Sequence, residues 1–152
     1  MNRYRPIVIA DQAIPFLEPL EDRAEIIRIP GTAIARTHLA NASALLVRTR
    51  TRCDKALLEG TPVRFVGSAT AGRDHLATAE LDGLGIAWAH APGCNAPAVA
   101  QYVLAALAFL HQQHHLSLEN LTVGIVGVGE VGGRLARALE AWGIRVLLCD
   151  PP

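Results

Sequence analysis

The chain has 152 residues, 51% of them apolar and 18% charged, which is enough for one well-buried α/β core and too few for two complete domains of ordinary size. Its 14 basic and 14 acidic side chains cancel, so composition implies no bulk attraction to nucleic acid or to a membrane surface. Cys53, Cys94 and Cys149 are odd in number and lack paired spacing. With no apolar leader after Met1 and no apolar run long enough to span a bilayer, the expected setting is a reducing cytoplasm with free thiols.

In chain order, Pro6-Ile-Val-Ile-Ala-Asp11 reads as a buried strand ending in a carboxylate. Residues 15–22 predict a short helix, Glu25–Ile29 a second strand broken by Pro30-Gly31, and residues 34–40 a weak helix. Ala44–Arg48 predicts a third strand. Asp54 caps a helix through Glu59 that Gly60 ends. Val63–Val66 is a fourth strand, Asp74 caps a helix that stops at Gly83 or Gly85, and Ile86–Ala89 is a fifth strand. Strands separated by helices pair in parallel, because a parallel connection needs a long crossover. Residues 1–95 therefore read as a flavodoxin-like, doubly wound parallel sheet. Residues 96–113 form one long Ala- and Leu-rich helix, apolar over much of its circumference and so expected to be covered on more than one side. The expected division is a first domain over 1–95, a connecting helix and linker over 96–117, and over 118–152 the opening β-α-β of a truncated Rossmann domain.

That opening carries the sharpest motif. Gly127, Gly129 and Gly132 fit G-x-G-x-x-G after an apolar strand, and a helix follows with Val131, Leu135, Leu139 and Trp142 on one face. The first glycine permits a tight turn, the second lets a pyrophosphate approach the backbone, and the third lets the helix pack on the strand. Free N–H groups at the helix start favour an anion. Asp150 closes the next strand. A carboxylate there accepts from both ribose hydroxyls and repels a 2′-phosphate, so it favours NAD over NADP. A flavin or nucleotide-sugar unit, or a glycine turn without a ligand, gives the same pattern. Glu130 within the motif reads as a solvated first-turn acid.

Ligands of open α/β sheets sit at the carboxyl ends of the strands. Two polar loops belong there: Arg48-Thr-Arg-Thr-Arg52 and Gly67-Ser-Ala-Thr-Ala-Gly-Arg-Asp-His75. Hydroxyls, guanidinium groups and glycines suit a phosphate or carboxylate. The alternatives are plain: Arg50 and Arg52 as solvated charges, Thr49 and Thr70 as turn hydroxyls bonded to their own backbone, and His75 as a first-turn helix residue. No aromatics interleave the arginines, which argues against nucleic acid. His111, His114 and His115 have helical spacing, but no Cys or carboxylate completes a ligand set, so no metal is expected. Cys94 has no neighbouring base and reads as a buried thiol.

With these segments in hand, the chain resembles the D-isomer-specific 2-hydroxyacid dehydrogenase family. The resemblance covers essentially the whole chain. Its most specific pieces are Ala44–Thr49, Phe65–His75, Ala91–Ala96, Thr122–Gly132 and Leu148–Pro152. It implies two Rossmann-like domains flanking a cleft, a homodimer, and NAD-linked oxidation of a small phosphorylated hydroxy acid. Thr49 and Thr70, with Arg48 and Gly72 in the same loops, are implied substrate contacts. The turn Gly127, Val128, Gly129, Glu130, Val131 and Gly132 is implied to hold the pyrophosphate, and Asp150 the adenosine ribose. Two positions depart from the family pattern: Gln101 stands where many relatives carry Glu, and Arg73 where a small polar residue is usual. The family's catalytic Arg, Glu and His lie beyond residue 152, so no catalytic residue is assigned in this chain and the isolated chain is expected to be inactive. Other readings are an NAD- or sugar-phosphate-binding regulatory module, a truncated nonfunctional product, or a family member of phosphoglycerate or glyoxylate type.

Overall fold

A computed structural model describes residues 5–114, 117, 118 and 120–150. His115 and the Pro151-Pro152 tail of the family resemblance lie outside the described residues. The chain forms two compact units, Met1–Ala91 and Pro92–Pro152.

In the first unit, five short apolar runs become strands β1 (Ile7–Asp11), β2 (Glu25–Ile29), β3 (Ala42–Val47), β4 (Phe65–Ser68) and β5 (Ala87–Ala89). All pair in parallel, in the order β2-β1-β3-β4-β5. This is the flavodoxin-like order, and it places the topological switch between β1 and β3. Helices α1 (Glu18–Glu21), α2 (Lys55–Leu58) and α3 (Thr78–Gly83) lie in the connections.

Side-chain alternation along the strands feeds two apolar clusters. Ile9, Leu45, Val47 and Val66 pack with Leu39, Leu58, Val63 and Leu81. Ala10 packs with Ile14 and Leu17, against Ile26 and Leu46. Each fully buried Leu or Val contributes roughly 1.5–3 kcal/mol of transfer free energy, so the first cluster anchors the sheet.

Local chemistry sets the element ends. Asp54 caps α2 by accepting from Leu57 N–H at 3.1 Å, and Gly60 takes the left-handed conformation at φ 72° just past it. Asp74 does not cap α3, which starts at Thr78 after Ala77 with no side-chain cap bond. The backbone of residues 73–77 is instead drawn into turns and into a parallel bridge between Cys53 and Leu76. The segment expected as a weak helix over 34–40 is a 3₁₀ turn, Arg36–Leu39, preceded by another at Gly31–Ala33. Both turns lie in the connection from β2 to β3, strands that flank β1 in the sheet.

In the second unit, α4 (Ala96–His114) precedes β6 (Thr122–Val126), α5 (Glu130–Ala141) and β7 (Arg145–Cys149). Strands β6 and β7 pair in parallel from Thr122↔Arg145 to Val126↔Cys149. Leu135, Ala136 and Leu139 of α5 pack with Ala100, Ile125 and Ile144. Trp142 departs from the expected apolar face. It follows the last helical residue, where the chain turns toward Gly143 at φ 77°, and is 48% exposed. Helix α4 is not covered on more than one side among the described residues. Only Ala96 and Ala100 are buried, Val103, Leu104 and Leu107 pack on the α5 cluster, and Tyr102, Phe109 and Leu110 are exposed.

Candidate functional site

Two constellations stand at the carboxyl ends of the two sheets. In the first unit, register brings the polar loops together. Val47 of β3 pairs with Ser68 of β4, so Thr49 and Thr70 each lie two residues beyond that pair, on one sheet edge. Arg48 and Thr49 are exposed and Thr70 is half-buried. The loops are tied to one another: Cys53 N–H donates to His75 O at 2.8 Å, and Ala77 N–H to Cys53 O at 2.9 Å.

Beneath Thr70 lies a polar cluster that composition and spacing did not reveal. Ser68 and His75 are buried. Ser68 Oγ lies 2.8 Å from His75 Nε2 and 2.8 Å from Thr70 Oγ1. Thr70 Oγ1 donates to Gly72 O at 3.3 Å. Thr70 is thus the turn hydroxyl expected of it, and it also sits at the end of a side-chain chain. His75 is not a first-turn helix residue: it precedes α3 and turns inward. Burial lowers its pKa below 6.5, against a smaller opposing pull from Asp74.

Asp11, at the end of β1, is also buried. Its Oδ1 accepts from Ala13 N–H at 3.0 Å. Thr51 Oγ1 donates to Gly31 O at 2.8 Å. A Cβ on Gly31 would lie 2.4 Å from Asp11 Oδ2, so a side chain there would displace the Asp11 carboxylate. Sequence marked Asp11 as a strand-ending carboxylate, Gly31 as part of a strand break and Thr51 as part of the Arg48–Arg52 loop, but not their meeting.

On the next strand end, His90 Nδ1 contacts Ala71 O at 2.9 Å. A recess of about 250 Å³ opens beside it, lined by Leu46, Phe65, Gly67, Ala69 and Ala89 among others. Arg73 is turned onto the Trp88 ring, its guanidinium 5.8 Å from the centroid, and Trp88 Nε1 donates to Asp82 at 2.9 Å. This cation–π contact gives the extra charge a structural partner.

In the second unit, the glycine turn joins β6 to α5. Gly127 has φ 89°, a conformation that a side chain disfavours. Gly129 is the N-cap of α5 with open space where a Cβ would stand. A Cβ on Gly132 would lie 1.9 Å from Gly127 O, so helix and strand touch backbone to backbone. These are the three distinct requirements of a diphosphate-binding turn. Asp150, just past β7, faces the bend, and its Oδ1 accepts from Val128 N–H at 2.8 Å. Val128, Gly129, Glu130, Gly133 and Arg137 line a recess of about 380 Å³. Glu130 is exposed and lies against Gly93, where a Cβ would come within 2.9 Å of its Oε2. Val131 is half-buried.

The turn offers a helix start with no side-chain cap, room for a ligand at Gly129, and a carboxylate beside them. That donor set fits a dinucleotide: amides for the diphosphate and Asp150 for the ribose. No group of three metal-ligating side chains occurs among the described residues, and no helix there is long and apolar enough to cross a membrane. Cys94 is exposed, contrary to the expectation of a buried thiol. It sits in the turn before α4, beside Gly93 at φ 71°. The buried thiol is Cys53, whose pKa burial pushes up to about 12.

Comparison with known proteins agrees with this geometry. The chain is 51% identical over 146 residues to an erythronate-4-phosphate dehydrogenase of Sodalis glossinidius (strain morsitans), and 49% identical to one from Shigella flexneri serotype 5b. Each alignment takes in 95% of this chain and 39% of the relative, so the chain spans well under half the length of these curated relatives. Solved structures share the fold at lower identity. NAD+-bound 3-phosphoglycerate dehydrogenase of Entamoeba histolytica matches with TM-score 0.76 and 22% identity, over 97% of this chain and 55% of that one. D-lactate dehydrogenase of Aquifex aeolicus, complexed with NAD and lactic acid, matches with TM-score 0.70 and 18% identity, over 93% of this chain and 50% of that one. Residues 7–136 match the family described as D-isomer specific 2-hydroxyacid dehydrogenase, catalytic domain. With the parallel sheet, the glycine turn and its carboxylate all in that span or just beyond it, the chain belongs to the D-isomer specific 2-hydroxyacid dehydrogenase family.

Proposed function

We propose that this chain is the substrate-binding and cofactor-binding opening of an NAD-dependent dehydrogenase that oxidises 4-phospho-D-erythronate to 2-oxo-3-hydroxy-4-phosphobutanoate, in pyridoxal 5′-phosphate biosynthesis. The observation that carries the substrate is the identity of about half, across 95% of the chain, to erythronate-4-phosphate dehydrogenases. Relatives with other substrates in their names stand at 22% and 18%.

In this reading residues 1–95 are the substrate domain, 96–117 the connecting helix and linker, and 118–152 the start of the cofactor domain. Arg48, Thr49, Thr70 and Gly72 hold the anionic substrate at the carboxyl ends of β3 and β4. The amides of Gly127–Gly132 hold the diphosphate. Asp150 releases Val128 N–H and takes the ribose hydroxyls, and its charge disfavours a 2′-phosphate, so NAD is preferred over NADP. NAD held by these residues would supply the hydride acceptor for oxidation of the substrate's hydroxyl-bearing carbon, with loss of the hydroxyl proton. The groups that would take that proton and anchor the reacting carboxylate are not among these residues, so the chain binds and orients without turnover. The full protein works as a cytoplasmic homodimer.

Calorimetric titration tests the reading. NAD is expected to bind this chain more tightly than NADP, 4-phosphoerythronate to bind separately, and both together to give no NADH. NADP bound as tightly as NAD, or turnover comparable to that of a full-length relative, would refute it. Binding without turnover is also what a regulatory module would show, and expression of the chain alone in its native cell distinguishes the two.

A further inference from the structure

The chain of contacts under Thr70 fixes the direction of its own hydrogen bonds. There are three contacts: His75 Nε2 with Ser68 Oγ, Ser68 Oγ with Thr70 Oγ1, and Thr70 Oγ1 with Gly72 O. A carbonyl oxygen only accepts, so Thr70 must spend its single hydroxyl proton on Gly72 O. Thr70 Oγ1 then accepts from Ser68 Oγ–H, which leaves Ser68 Oγ to accept from His75. Imidazole must therefore carry a hydrogen on Nε2. The other neutral tautomer supplies two protons for three contacts and breaks the chain at Gly72. No buried side-chain polar atom lacks a partner among the described residues, in keeping with a complete chain.

The links are unequal. The two inner contacts are 2.8 Å, the usual length for such bonds, whereas the outer one is 3.3 Å and exposed. Thr70 therefore holds its proton on the weakest, wettest acceptor, at the end of a row of donors that polarise one another. An anionic oxygen is a better acceptor than that carbonyl.

We propose that His75 is a positioning residue: acting through Ser68, it holds the Thr70 hydroxyl as a hydrogen-bond donor toward an anionic oxygen of the ligand at the carboxyl end of β4. This rests on the reading of that loop as an anion site. Burial of the ring keeps it neutral near pH 7, and a protonated ring would still donate from Nε2, so the direction does not reverse.

Two measurements on the 152-residue chain test it. In ¹⁵N-histidine-labelled protein, with the His75 signals assigned by their absence from His75→Gln, long-range ¹H–¹⁵N spectra report the tautomer without any ligand. The Nε2–H form is expected, and the Nδ1–H form overturns the proposal. Calorimetry with 4-phosphoerythronate then compares variants. Ser68→Ala and His75→Phe are expected to weaken binding by about 3–10-fold, the worth of one misdirected hydrogen bond. His75→Gln, which keeps an N–H donor, is expected to return affinity to within about twofold of the parent. If Thr70→Val weakens binding while Ser68→Ala and His75→Phe do not, the relay is wrong and the anion loop stands. If Thr70→Val binds like the parent, or the parent does not bind at all, the loop reading falls and takes the relay with it.

Discussion

Replacing Gly132 by alanine sets two effects of opposite sign against each other. Gly132 lies inside α5, where Ala is favoured over Gly by about 1 kcal/mol because it loses less backbone entropy. On helix propensity alone Gly132→Ala stabilises. The packing reverses the sign. A Cβ there would lie 1.9 Å from Gly127 O, 3.0 Å from Gly127 C and 3.1 Å from Ile125 Cγ2. Two of these are backbone atoms of the β6–α5 turn, so no side-chain rotation relieves the clash, and helix and strand must part by roughly an ångström. Overpacking of this kind costs about 1–3 kcal/mol, and backbone obstruction belongs at the upper end. The expected net loss is about 2 kcal/mol, or roughly thirtyfold in the opening equilibrium of the second unit. Native-state hydrogen exchange reads this directly, as lost protection of the α5 amides near Leu135 and Leu139 with β1 and β3 unchanged. Gly133→Ala is the internal control. Its Cβ meets only Val128 O at 3.2 Å and the Arg137 guanidinium at 3.8 Å, and α5 protection is expected to stay within about 1 kcal/mol of the parent. Equal or greater protection in Gly132→Ala would refute backbone-to-backbone packing at this turn.

Gly129→Ala is expected to leave stability within about 0.5 kcal/mol, since nothing stands within 4 Å of the added Cβ, yet to weaken NAD binding measured by calorimetry; unchanged affinity would remove Gly129 from the diphosphate cradle. In the folded chain, Cys94 and Cys149 are expected to react with an aromatic disulfide reagent while Cys53 stays protected until denaturant is added; rapid labelling of all three would contradict the burial of Cys53. His75 has a folded pKa below 6.5, so under acid the unfolded chain takes a proton that the folded chain refuses. Its contribution to stability is complete above about pH 6.5 and is lost as pH falls below that value toward the lower folded pKa. Urea midpoints for parent and His75→Gln are expected to converge under acid, and parallel pH curves would show that the ring is not buried neutral.

The fold was legible because its signals are local. Apolar runs such as Ile7–Ala10 and Leu45–Val47 are too short for helices and are bounded by turn residues. Asp54 capped the helix it was expected to cap. Asp74 did not, because tertiary pairing of Leu76 with Cys53 outweighed a local cap. The long helix misled for a similar reason. Its composition speaks of apolar surface, but composition does not say which neighbour covers Tyr102 and Phe109, and none among the described residues does.

The two sites differed in legibility according to how far apart their parts lie in sequence. The glycine turn spans Gly127–Gly132, and each glycine's task follows from the strand-turn-helix around it, so pattern alone assigned all three. Even Asp150, just past the following strand, needed only the β6–β7 pairing to reach Val128. In the first unit, loops after β3 and β4 meet through the register Val47↔Ser68, a relation between strands that no local window contains. Thr49 and Thr70 were marked by residue type. The Ser68–His75 contact was missed because it depends on His75 turning back under its own loop rather than starting a helix. What decides the direction of Thr70's proton is the carbonyl of Gly72 together with the tautomer of a buried ring. Neither has a signature in residue order, so a donor that looks like an ordinary turn threonine acquires its orientation only from the folded chain.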